Sequence, residues 1–190
     1  MKKNIIILGS TGSVGTETLN SLKNKNFQVS LLTTNANLNK ILKQAIKFKV
    51  PDVIVEDKLM YVKYKKLFKK KKISLHLGIK NINKIIKKKV TYCVNAISGV
   101  DGLSPTLDTI PLTKKILIAN KESIICGWHL IERKLKYYNT NFIPIDSEHF
   151  SIWKLIKDEN YNDVQKVVLT ASGGPFLYIS KKKLLNVHPN

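Results

Sequence analysis

Asp146-Ser147-Glu148-His149 sets two carboxylates two positions apart, directly after the apolar run Phe142 to Ile145. In an extended chain such residues point to the same side, so Asp146 and Glu148 present their carboxylates to one point. Clustered anions repel unless a cation joins them, and hard oxygen donors suit Mg²⁺ or Mn²⁺. The same stretch also reads as a helix start, with Ser147 as cap and acids in the first turn. Spacing alone leaves both readings open. His149 reads as a packing or supporting residue rather than a ligand.

Two other turns carry groups of the same kind. Ala119-Asn120-Lys121-Glu122-Ser123 follows the run Ile116 to Ile118. Lys121 there can hold a substrate hydroxyl or phosphate, with Glu122 orienting it; a surface ion pair is the plainer alternative. Ala171-Ser172-Gly173-Gly174-Pro175-Phe176 supplies two glycines that let backbone N–H groups approach an anion closely, and the Ser172 hydroxyl as a further donor.

Near the start, Ile5 to Leu8 breaks into Gly9-Ser10-Thr11-Gly12-Ser13-Val14-Gly15 before helical spacing resumes at Thr16. A buried strand, a glycine turn and a helix N-terminus together offer unpaired N–H groups to a dinucleotide pyrophosphate. The spacing is Gly-x-x-Gly-x-x-Gly rather than Gly-x-Gly-x-x-Gly, and a plain glycine-rich turn is the alternative. Where the second strand ends, an acid would select NAD by binding the ribose 2′-hydroxyl. Thr33-Thr34-Asn35-Ala36-Asn37 carries none. The neutral donors there, with Lys40 one turn on, favour NADP; Asn37 also suits the N-cap of the next helix.

These turns need a frame to position them. Strands are expected at Gln28–Thr33, Asp52–Val55, Ile73–Leu77, Val90–Ala96, Lys115–Ala119 and Asn141–Ile145. Helices are expected from Leu38, from Asp57 (with Tyr61, Tyr64, Leu67 and Phe68 inward), around Ile82–Ile86, over Leu103–Ile110 and over Ile124–Tyr138. Alternation of this kind predicts an α/β fold, a doubly wound parallel sheet with helices on both faces. The rhythm changes near residue 145, read as a domain boundary. Beyond it a helix-like segment to Lys157 and a strand Val164–Thr170 are expected, then a tail, Ser172 to Asn190, with little apolar periodicity.

Composition bounds the partners. A 190-residue chain that is 43% hydrophobic and 24% charged is an ordinary globular protein, with no apolar run near the ~20 residues a bilayer requires. The net charge of +20 invites a nucleic-acid reading, but the lysines cluster at the ends of helical patterns and Arg133 is the one arginine. Abundant Ile, Asn and Lys point to A/T-rich codons instead, so neither nucleic acid nor membrane is expected as a partner. Cys93 and Cys126 form no disulfide framework or metal spacing, which makes the cytoplasm the expected compartment.

Taken in order, the glycine loop at 9–15, Asn120-Lys121-Glu122-Ser123, Pro144-Ile145-Asp146-Ser147-Glu148-His149 and Ser172-Gly173-Gly174-Pro175-Phe176 resemble the N-terminal half of the 1-deoxy-D-xylulose 5-phosphate reductoisomerase family, over essentially all 190 residues. The resemblance implies an NADPH-binding Rossmann domain over 1–145 and the start of a catalytic domain over 146–190. It implies Mg²⁺ or Mn²⁺ held by Asp146, Glu148 and a third carboxylate. The activity implied is rearrangement and NADPH reduction of deoxyxylulose phosphate to 2-C-methyl-D-erythritol 4-phosphate, in isoprenoid precursor synthesis. It puts Lys121 near substrate and nicotinamide, and makes Ser147, Glu148, Ser172 and His188 substrate contacts. Gly9 to Gly15, Asn35, Ala36, Asn37, Asn120 and Glu122 become cofactor contacts, and the full-length protein a homodimer.

The departures are Ala36, where many members carry a basic residue, and the family's continuation past Asn190 with an active-site flap and the third carboxylate. Two other readings stay open: a cofactor-binding remnant without turnover, and another NADP-dependent oxidoreductase such as a semialdehyde dehydrogenase. The latter needs a nucleophilic cysteine, for which Cys126 is poorly placed.

Overall fold

In the computed structural model, residues 2–169 and 178–184 are described. Seven strands form one parallel sheet: β1 (Lys3–Leu8), β2 (Phe27–Thr34), β3 (Asp52–Val55), β4 (Ser74–Leu77), β5 (Val90–Asn95), β6 (Thr113–Ile118) and β7 (Asn141–Pro144). Their order is β4-β3-β2-β1-β5-β6-β7, so β1 is central. Ile5 to Leu8 are at most 4% exposed, which explains why the run is continuously apolar rather than alternating.

The helices that join them in this part of the chain are α1 (Ser13–Ser21), α2 (Leu38–Phe48), α3 (Lys58–Lys70), α4 (Ile82–Ile85), α5 (Leu103–Thr109) and α6 (Lys121–Tyr138). The strand order runs one way from β1 to β4 and the other way from β5 to β7. Right-handed crossovers therefore place the helices after β1 to β3 on one face and those after β4 to β6 on the other. The two cores follow: Leu19, Leu38, Ile41, Ala45 and Phe68 pack on one face, Ile82, Ile110, Ile131 and Leu135 on the other.

Local chemistry sets the helix ends. Asn37 accepts from Lys40 N to cap α2, and Asp57 accepts from Met60 N to cap α3, each cap worth ~1 kcal/mol. α2 stops at Lys49, whose φ of 53° is left-handed, and Lys69 and Lys70 sit in the last turn of α3, where cations suit the dipole. Leu67, expected inward, is exposed; Phe68 is fully buried and Tyr61 and Tyr64 pack half-buried beside it, because the lysine-rich helix buries a narrow stripe. α6 begins at Lys121, a turn earlier than its apolar spacing suggests, because Asn120 caps it.

The chain divides into two units, residues 1–146 and 147–190. In the second, α7 (Ser147–Ile156) stacks Phe150 on Trp153 at 5.7 Å and α8 spans Lys181–Leu184. The expected strand at Val164–Thr170 does not form over 164–169, and Thr170 is outside the described residues. Val167, Val168 and Leu169 are exposed there, and a strand needs a neighbour to pair with, which no described residue provides.

Candidate nucleotide-binding site

The glycine loop leaves the central strand and is tied down from β2. Gly9 N donates to Thr33 Oγ1 at 2.9 Å and Ser10 N to the Thr33 carbonyl at 2.9 Å. Thr11 and Thr34 share a hydroxyl–hydroxyl bond of 2.8 Å, and Lys40 Nζ donates to the Thr11 carbonyl at 2.8 Å. The glycines have distinct duties. Gly9 is left-handed (φ 71°), and a Cβ there would meet the Ala96 carbonyl oxygen at 2.8 Å. A Cβ on Gly15 would stand 2.6 Å from Ser10 Cα, so that glycine lets α1 sit on the loop. Gly12 has room: its Cβ would meet Gly9 O at 3.4 Å. It is also the N-cap of α1, with no side-chain cap, which leaves the Ser13, Val14 and Gly15 amides to an external acceptor.

The far wall comes from the end of β5. Asn95 is fully buried; its amide donates to the Gly102 carbonyl at 2.9 Å and to Thr106 Oγ1, while its Oδ1 accepts from Ile97 N at 3.1 Å. Asn120 accepts from Ser123 N at 2.8 Å and donates to the Ile97 and Gly99 carbonyls. Two asparagines thereby hold the 96–102 loop to the sheet and to α6. Gly102 permits the contact, since a Cβ there would run into the Asn120 amide nitrogen.

Between these walls lies a cleft of about 600 Å³, lined by Gly9, Thr11, Gly12, Thr33, Thr34 and Asn35 on one side and Ala96, Ile97, Ser98, Asp101, Ser104 and Pro105 on the other. Glu56, Ile79 and Lys80 close its end, with Glu56 Oε1 accepting from Ile79 N at 2.7 Å. This is the point where the strand order reverses, at the carboxyl ends of β1 and β5, where open α/β sheets bind ligands.

Of the residues expected to bind cofactor, Gly9, Thr11, Gly12 and Asn35 line the cleft. The Ser10 side chain is turned inward, bonded to Gln44 Oε1 at 2.9 Å, so it serves the loop rather than a ligand. Val14 faces a separate apolar groove. Asn37 caps α2, and neither it nor Ala36 lines the cleft. Asn120 acts from behind the wall. Lys121 and Glu122 both lie in the first turn of α6, where consecutive side chains diverge by about 100°. The wall residues Ala96 to Ser98, and Glu56 and Ile79, were not expected; their positions just past strand carboxyl ends were the available signal.

The extended reading of the carboxylates fails. Asp146 follows β7 in the first unit, and Glu148 is in the first turn of α7 in the second, where Ser147 Oγ donates to its Oε2 at 2.8 Å. The helix-start alternative describes the backbone, and the i, i+2 argument for convergence lapses with it. Within the second unit Ser147 and Glu148 border a groove with Ile152, Leu155, Val168 and Leu169. Among the described residues no three acids, histidines or cysteines gather as a metal site. Ser172 and His188 lie outside the described residues.

The 1-deoxy-D-xylulose 5-phosphate reductoisomerase family model matches residues 5–127, and the model of that enzyme's C-terminal domain matches 142–190. The Pelagibacter ubique reductoisomerase is 48% identical over 99% of this chain and 51% of its own length. The Clostridium acetobutylicum reductoisomerase is 38% identical over 99% of this chain and 50% of its own. The Zymomonas mobilis enzyme, solved in complex with NADPH, superposes with a TM-score of 0.85 at 28% identity, over 98% of this chain and 50% of that one. A reductoisomerase solved with NADPH, fosmidomycin and magnesium gives 0.81 at 30% identity, over 97% and 49%. The chain thus spans about half the length of the relatives it matches. It belongs to the 1-deoxy-D-xylulose 5-phosphate reductoisomerase family.

Proposed function

We propose that this chain is the NADPH-binding half, with the first part of the catalytic domain, of an enzyme that rearranges and reduces 1-deoxy-D-xylulose 5-phosphate to 2-C-methyl-D-erythritol 4-phosphate. Residues 1–145 are the nucleotide domain and 146–190 open the catalytic one. The observation that carries this is the cleft at the sheet's switch point, bounded by an uncapped helix N-terminus, in a chain of this family.

The amides of Ser13 to Gly15 receive the pyrophosphate. Gly9, Thr11 and Gly12 let it approach the backbone, Thr34 and Asn35 meet the ribose, and Lys40 adds charge for a 2′-phosphate. Bound NADPH supplies the hydride. Asn120 holds the wall that seats the nicotinamide end, with Lys121 at the substrate side and Glu122 beside it. Asp146 and Glu148 have the hard oxygen chemistry that Mg²⁺ or Mn²⁺ requires, but the described residues do not complete a ligand set. Such an ion would polarise substrate oxygens as a Lewis acid. Ser147, Ser172 and His188 take the phosphosugar. The complete enzyme is a homodimer in the cytoplasm, in line with the family and with cysteines that are both free.

The test is fluorescence titration of the chain with NADPH and NADH, then an assay of NADPH oxidation with deoxyxylulose phosphate and Mg²⁺. NADPH should bind more tightly than NADH; the reverse order overturns the nucleotide assignment. The 190-residue chain should bind without turning over, and robust turnover would show that the site has been placed wrongly.

A further inference from the structure

Gln44 meets Ser10 twice. Its side-chain nitrogen donates to the Ser10 carbonyl at 2.8 Å, and its Oε1 accepts from the Ser10 hydroxyl at 2.9 Å. A carboxamide supplies a donor and an acceptor side by side, which this pair of groups requires. Ser10 is fully buried, so the exchange is shielded from water. One turn earlier on the same face of α2, Lys40 holds the next carbonyl along, that of Thr11. The helix gives both a firm base, since Leu38, Ile41 and Ala45 are buried in the core beneath it. Two successive carbonyls of the glycine loop are therefore drawn back toward α2.

In a trans peptide the N–H points opposite to the carbonyl. With the Ser10 carbonyl held at α2, the Thr11 N–H is turned the other way, to the side on which Thr11 and Gly12 line the cleft. The neighbouring amides are engaged inside the fold: Gly9 N and Ser10 N donate to Thr33, and Gly12 N donates to the Gly9 carbonyl at 3.1 Å. Rotation of the 10–11 peptide plane would put an oxygen where the Thr11 amide stands, and that oxygen would repel an anion.

We infer that Gln44 is a positioning residue for the nucleotide: it fixes the Ser10–Thr11 peptide so that an N–H, and not a carbonyl oxygen, meets the pyrophosphate. The inference rests on the cleft being the NADPH site. The pyrophosphate is common to NADP⁺ and NAD⁺, so Gln44 serves both alike, in contrast to a contact with the 2′-phosphate.

The experiment titrates the isotope-labelled chain with NADP⁺ and, separately, with NAD⁺, following amide resonances. Gln44→Met keeps side-chain length and helix propensity while removing both bonds. Gln44→Glu keeps the shape and an acceptor but loses the donor to the Ser10 carbonyl. Each should weaken both nucleotides about tenfold, the scale of one hydrogen bond to a charged group, with the α/β circular dichroism retained. In the parent, saturating NADP⁺ should move the Thr11 amide proton together with those of Ser13 to Gly15. In saturated Gln44→Met the Thr11 shift should vanish while Ser13 to Gly15 still respond, a pattern that general loss of stability would not produce. Should Gln44→Met fail to fold, Gln44→Glu is read by the same resonances. Unchanged affinity, a Thr11 amide that shifts as in the parent, or a loss confined to NADP⁺ would overturn the inference alone. A parent chain that binds neither nucleotide would overturn the reading of the cleft, and the inference with it.

Discussion

The Lys40 ammonium donates to the Thr11 carbonyl at 2.8 Å, bridging the first turn of α2 to the glycine loop. The bridge sets a cation against the glycine loop, while the loop after β2 carries Ala36. Lys40→Gln should weaken NADPH binding about tenfold and NADH binding little, since one charge-assisted contact is worth ~1.5–3 kcal/mol. Equal losses for both nucleotides in paired titrations would assign Lys40 to loop structure instead.

Gly12 and Gly15 should respond differently to the same methyl group. Gly12→Ala has space in the fold but intrudes on the cleft, so NADPH affinity should fall tenfold or more with the melting temperature nearly unchanged. Gly15→Ala presses on Ser10 Cα and should cost about 1–3 kcal/mol of stability by overpacking. Thermal denaturation and nucleotide titration of both variants separate the two effects.

Asn120 caps α6 with its oxygen and holds two loop carbonyls with its nitrogen. Asn120→Asp keeps the cap but turns a carboxylate oxygen toward the carbonyls of Ile97 and Gly99. The expected result is intact helix content with NADPH affinity reduced severalfold and recovered in part at low pH. Asn120→Ala should lose the cap as well, about 1 kcal/mol.

The two thiols should differ in reactivity. Cys126 is exposed, whereas Cys93 is buried beside Thr109 and burial pushes its pKa from 9.0 up to about 12. A disulfide reagent at neutral pH should modify Cys126 promptly and Cys93 only on unfolding. Above pH 9.0 the unfolded chain gives up a proton that native Cys93 keeps to about pH 12, so this residue's contribution to stability is full below pH 9.0 and declines between those values. Denaturant melts of Cys93→Ala and the parent across that window should show the parent's steeper decline.

Strand and cap chemistry made the sheet legible: the run Ile5 to Leu8, the Asn37 cap and the helix start at Asp57 are local signals with local causes. The cleft was legible on its glycine side alone. Asn95 reads in sequence as one residue of the strand expected over Val90–Ala96; its role arises because Gly102 and Thr106 fold back against it, a match of distant groups that no local pattern encodes. Ser10 misled for the same reason, since its partner Gln44 is 34 positions away. The two-residue spacing of the carboxylates speaks for an extended chain, whereas the backbone is helical from Ser147 onward.

The central place of β1 also shapes how the chain must be made. Its residues pair on one side with β2, soon after synthesis, but on the other with β5, as in Ile5 with Tyr92. At ribosomal speeds of about 5–20 residues per second, that second edge waits on the order of ten seconds for its partner. During that interval a strand with four consecutive apolar residues exposes a row of unpaired amides and carbonyls, a template for the wrong neighbour. Nascent chains stalled before residue 90 should therefore recruit holding chaperones and aggregate readily, and release should come with the emergence of β5.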